Sequence, residues 1–90
     1  MNAWKEKSLE IREKSDNLCA LCREQGIYNY FDLEVHHIEK LEERPELLLD
    51  DYNLICLCAE HHHQADRGEI NKEHLKALAA AREERSPLYV

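Results

Sequence analysis

Two pairs of thiol or imidazole side chains carry the first readable chemistry in this chain: Cys19 with Cys22, and Cys58 with His61, each pair separated by two residues. Such spacing lets each pair clamp one side of a tetrahedral ion at about 2.0 to 2.3 Å. Four soft or borderline ligands leave no open position, which is the signature of structural zinc rather than a catalytic ion. The alternative, that these cysteines are small buried hydrophobes, is weighed down by the double spacing. Cys56 reads the other way: it falls between Ile55 and Leu57 in an apolar run and is expected to serve packing alone. His61 opens a run of three histidines, and spacing favours it over His62 and His63 as the fourth ligand.

A second constellation joins His36 and His37 of "LEVHHIEKL" to Asn53 and His62. If His61 closes the zinc site from the start of a short helix, His62 is turned about 100° away and can face the strand carrying His36. Neutral imidazoles bind a divalent ion while leaving solvent positions open, as catalysis requires. Asp66, one helical turn after His62, either joins that ion or is a solvated residue near a helix end. An oxygen ligand there favours magnesium or manganese over zinc. His63 and His74 read as ordinary polar residues.

The elements that must position these groups follow from pattern. Residues 4 to 14, with Trp4, Leu9 and Ile11 among charges, predict a short polar helix that "SDN" stops. "IYNYFDLEVHHI" is rich in strand formers, with Tyr28, Tyr30, Val35 and Ile38 as packing candidates. "EKLEERPELLLDDY" is an acidic loop, and "NLICLC" alternates as a second strand with Leu54, Cys56 and Cys58 facing one way. "AEHHHQAD" predicts one or two helical turns closed by Gly68. Asn71 should cap a final helix over residues 72 to 85, with Leu75 and Leu78 on its apolar stripe and Pro87 beyond its end. The fold class is α+β, in one domain over residues 1 to 90.

Ninety residues with 43% apolar content form a core too small to be secure alone, which is where a structural ion matters most. With a mean hydropathy of −0.71 and no long apolar run, the chain is expected to be soluble, without a membrane partner or an export address, and cytoplasmic. In a reducing compartment four cysteines more often hold metal than form two disulfides.

"LEVHHI" followed by "YNLICLCAEHH", with "CALC" upstream, resembles the HNH endonuclease family, the ββα-metal or His-Me finger nucleases, in its zinc-stapled subgroup; the likeness runs from about Leu18 to Asp66. The resemblance implies a small ββα-metal domain with flanking helices. It implies that His36 and His62 ligate the catalytic divalent ion, magnesium or manganese with zinc or nickel as alternatives. His37 is then the general base, Asn53 braces the backbone that holds it, and Cys19, Cys22, Cys58 and His61 bind the structural zinc. The implied activity is hydrolysis of DNA phosphodiester bonds, one strand per event, leaving a 5′ phosphate and a 3′ hydroxyl. Family members of this size occur in phages and bacteria. Lys40 stands near where many members carry proline.

Charge opposes this picture. The formal net charge is −7, and three thiolates with two divalent ions leave its sign unchanged. A polyanion must then be held by the metal and by local cations, with Lys5, Lys7, Arg12, Lys14, Arg23 and Lys40 as candidates, or by a protein partner; double-strand cutting would require a homodimer or rebinding. The competing function is a non-catalytic zinc module acting through a partner protein. A sequence-specific transcription factor is disfavoured by the charge and by the absence of a basic recognition helix.

Overall fold

The computed structural model describes residues 2–85. It is an α+β structure built around one antiparallel pair of strands. Helix α1 spans Ala3–Lys14, a short helix α2 spans Ala20–Glu24, strand β1 spans Leu33–His37 and strand β2 Leu54–Cys58; α3 (Ala59–Asp66) follows directly, and α4 (Lys72–Glu83) closes the described chain. Two single-turn 3-10 segments, Pro45–Leu47 and Asp51–Asn53, lie in the acidic loop between the strands. Pro87 lies outside the described residues.

Local chemistry sets the boundaries. The Asn2 side chain accepts hydrogen bonds from the Trp4 and Lys5 amides, and Asn71 does the same for Glu73 and His74, so each long helix begins on an asparagine cap. Asp16 and Asn17 both adopt positive φ, 58° and 55°, which turns the chain out of α1. Gly68, at φ 76°, ends α3 as expected: its amide and that of Glu69 return to the carbonyls of Ala65 and Gln64. The C-terminal helix stops at Glu83, two residues short of the predicted end.

The first strand is shorter than its composition suggested. Only Leu33–His37 pairs, because β2 offers five residues and the register runs from Leu33 opposite Cys58 to His37 opposite Leu54. Residues 27–32 instead wrap the cysteine turn: the Asn29 carbonyl accepts from the Cys19 amide at 2.9 Å, and Asp32 at φ 49° breaks the extended run. Tyr28 and Tyr30, expected to pack, are 72% and 65% exposed. Strand propensity cannot be realised where no second edge is present to pair with.

β2 is the centre of the core. All five of its residues are buried, so the predicted one-sided alternation gives way to a strand covered on both faces by helices. Ile11 from α1, Leu21 from α2, Ile38 beyond β1, and Leu75 and Ala79 from α4 are buried with it, as are Cys19 and Cys22, while Leu9 points outward and Leu78 is half-buried. Cys56 is fully buried on this strand, outside either Cys/His cluster. No described helix is long and apolar enough to cross a membrane.

Candidate metal centres

Cys19 precedes α2, Cys22 lies inside it, Cys58 ends β2, and His61 is the third residue of α3; the fold brings these four together as one group able to hold a metal ion. His61 Nδ1 is 3.4 Å from Cys19 Sγ, 3.5 Å from Cys22 Sγ and 3.4 Å from Cys58 Sγ, and Cys22 Sγ is 3.9 Å from Cys58 Sγ. A tetrahedral zinc bound at its usual Zn–S and Zn–N lengths has S···N edges of about 3.5 Å and S···S edges of about 3.8 Å. The separations therefore match the edges of a zinc tetrahedron. The Asn29 amide points at Cys22 Sγ (3.6 Å) and the Cys22 N–H at Cys19 Sγ (3.5 Å), which supports thiolates from outside the ligand set. Burial, reinforced by the neighbouring thiols, pushes the metal-free Cys22 thiol up to about 11, so taking up a cation at neutral pH releases protons.

One residue further along α3, the helical turn carries His62 to the other cluster. His36, His62 and Asp66 present ligand atoms close enough for a common ion. Asp66 Oδ1 is 3.4 Å from His36 Nδ1, its Oδ2 is 3.6 Å from His62 Nε2, and the two rings meet edge to face with centroids 5.1 Å apart. Asp66, left open by the sequence, thus lies with the two imidazoles. His36 is 7% exposed whereas the Asp66 side chain is 56% exposed, so this group is shut at the back and open in front. Burial, and then the nearby His62, pushes the His36 pKa down to about 4. Its ring is neutral at pH 7 and keeps a lone pair for a metal.

Sequence reasoning missed Glu34. Its Oε1 lies 3.3 Å behind His62 Nδ1, off the line of a hydrogen bond, and that nitrogen is buried without a hydrogen-bonded partner. A carboxylate in this place orients a histidine so that its other nitrogen faces an ion. Period-two alternation gives the clue: Glu34 and His36 share a face of β1.

His37 points elsewhere. Its ring stacks on Trp4 with centroids 4.6 Å apart, and its Nε2 is 3.1 Å from the Leu48 carbonyl. A carbonyl only accepts, so Nε2 carries a proton, and the lone pair of the neutral ring is on Nδ1. His36, His37, His62 and Asp66 line a single groove of about 950 Å³ together with Lys40, Arg67 and Lys72. Asn53 does not reach the ligand atoms. It is buried, its Oδ1 accepts from the Glu39 amide (2.7 Å), its Nδ2 donates to the Glu39 carbonyl (3.2 Å), and its own carbonyl accepts from the Ile38 amide (2.9 Å). The chain just past the histidine pair is thereby fastened to the turn before β2.

The candidate cations fare less well. Lys7 and Lys14 both bond Asp51, Lys14 also reaches Glu83, and Arg23 pairs with Asp16. Arg12 buries its Nε. Among the described residues Lys5 and Lys40 have no ion pair within 4.0 Å, and Lys40 alone of these two lines the groove. Comparison with protein-family models, with curated proteins and with solved structures returned no match.

Proposed function

We propose that this chain is a metal-dependent endonuclease of the ββα-metal type that hydrolyses DNA phosphodiester bonds, nicking one strand per event. The observation that carries the reading is that His37, its Nε2 held at the Leu48 carbonyl, lines the same groove as the His36, His62 and Asp66 ligand group. A divalent ion held by those three would supply Lewis-acid neutralisation of charge at the scissile phosphate and the leaving oxygen. His37 Nδ1 takes a proton from a water molecule as the water oxygen bonds to phosphorus. The P–O3′ bond breaks, and the 3′ oxygen is protonated from solvent, leaving a 5′ phosphate and a 3′ hydroxyl. The Leu48 carbonyl, by holding Nε2–H, keeps the tautomer that makes Nδ1 the base; such a base contributes about 10²- to 10⁴-fold. Asn53 acts through the backbone it fastens. The Cys19, Cys22, Cys58 and His61 cluster, if occupied by zinc, would tie α2 to the junction of β2 and α3, the helix that carries His62 and Asp66.

A second reading has an observation of its own. Ile27, Tyr28, Tyr30 and Phe31 are exposed together, with the Tyr30 and Phe31 rings stacked 4.8 Å apart, and a net charge of −7 suits a basic protein better than a nucleic acid. A non-catalytic zinc module would use that surface and leave the groove idle. Supercoiled plasmid incubated with the protein and manganese or magnesium separates the two: the nuclease relaxes it and His37→Ala does not, whereas the module leaves both inactive.

A further inference from the structure

We infer that Arg82, on α4 and outside every residue so far given a chemical role, is a positioning residue for His37; the inference rests on the nuclease reading and deepens it. Arg82 occupies the last turn of α4, and its side chain is 8% exposed. Nη1 donates to the Leu54 carbonyl at 2.7 Å, Nη2 donates to the Asp51 carbonyl, and Nε donates to Glu83 Oε2 at 2.8 Å. The two carbonyls stand on either side of Asn53. One guanidinium therefore spans the 3-10 turn from which Asn53 reaches across to Glu39.

That turn is poor at holding itself. A single 3-10 turn has weak internal hydrogen bonds, and an external clamp decides where it sits. Asp51 receives further support from Lys7 (2.6 Å) and Lys14 (2.8 Å) of α1, and Lys14 also bonds Glu83, the residue beside the arginine. On the far side, the Glu39 carboxylate bonds Lys72 and Lys76 of the same α4. The helix thus grips both partners of the Asn53–Glu39 contact. His37 lies two residues before Glu39, and the carbonyl that fixes its tautomer, Leu48, belongs to the segment leading into the clamped turn. A shift of that segment moves the acceptor of Nε2–H and the backbone beneath the ring together. Neither the ligand atoms of the second metal group nor the groove lining includes Arg82.

The test is a double-mutant cycle on the zinc-loaded chain, with manganese and supercoiled plasmid as probe. Arg82→Met should lower kcat by about 10- to 100-fold, the loss expected of a small misplacement from a remote substitution, with KM, zinc content and manganese affinity unchanged. Arg82→Lys, which keeps one donor, should fall between. Because the arginine acts through Asn53, Arg82→Met combined with Asn53→Ala should be no slower than Asn53→Ala alone; additive losses would overturn the inference. Nitrogen-15 shifts of the imidazoles supply an arm that needs no turnover: His37 should hold one Nε2–H tautomer in the wild type and a mixture in Arg82→Met. Unchanged His37 shifts would overturn it equally. If the wild type fails to nick, the nuclease reading falls while the spectra still decide the positioning role. If Arg82→Met loses the zinc-bound fold, Arg82→Lys and its spectra decide, and loss of fold in both would make the arginine part of the scaffold at large and overturn it.

Discussion

Among the described residues two clusters of potential metal ligands share a helix and differ in almost everything else. Cys19, Cys22 and Cys58 are buried and, with His61, complete a four-cornered cage. His36, His62 and Asp66 are three, harder in character, and open on the Asp66 side. On the proposed reading the contrast divides two tasks along one short segment: a closed sulphur-rich cage suits an ion that never exchanges ligands, and an incomplete nitrogen and oxygen set suits one that must accept a substrate. Adjacent residues, His61 and His62, fall in the two clusters because a helix rotates about 100° per residue.

The largest expected effect comes from breaking the closed cage. Cys19→Ser, or stripping of its ion, should unfold the chain, since structural zinc supplies on the order of 10 kcal/mol and the core is small; circular dichroism with metal analysis, finding about one tightly held zinc per folded chain, checks it. Folded protein devoid of zinc would remove the cage from the account. Next, His37→Ala should cost about 10²- to 10⁴-fold in nicking rate while leaving the fold and zinc content intact, which plasmid relaxation and zinc analysis measure together. Third, the open cluster can be graded: Asp66→Asn should weaken manganese binding more than Glu34→Gln, the latter by about 10-fold, as titration calorimetry on zinc-loaded protein would read. Equal affinities for wild type and Asp66→Asn would take the carboxylate out of the ligand set.

The smallest effect is one of pH. His36 has a folded pKa pushed down to about 4, against 6.5 in the unfolded chain. Above 6.5 both states are neutral there and folding loses nothing; below it the unfolded state takes the proton first, so stability falls as pH drops toward 4. From pH 6.5 to 5.5 the cost is about 1 kcal/mol. Thermal melts of the zinc-loaded chain without a second ion should show that slope, and His36→Gln should flatten it.

The four-residue cage and the pairing of His36 with His62 were legible because ligand spacing is local: two-residue gaps set Cys19 with Cys22 and Cys58 with His61, and the step from His61 to His62 is one helical rotation; that His37 turns to Trp4 and Asn53 to the Glu39 backbone was not. The helix ends at Asn71 and Gly68 were legible for the same reason. The length of β1 was not. Ile27 to Phe31 have strong strand propensity, yet pairing is decided by the partner edge, and β2 supplies only five residues. Nor could spacing reveal that Lys7 and Lys14 are spent on Asp51, 44 and 37 residues away, or that Arg82 reaches back 28 residues to Leu54. Contacts of that range depend on how the helices dock, and no local pattern encodes them.

β2 ends in one corner of the four-residue cage, Cys58, α3 supplies another, His61, on its first turn, and the residue that follows belongs to the second cluster. Occupancy is therefore expected to have an order. If both ions are bound, a weak chelator should withdraw only the outer one, reversibly on adding manganese; a strong one should dissolve the frame that aims His62, and manganese alone should not restore it. On the proposed reading, scarcity of zinc should silence the groove even where the other ion is plentiful.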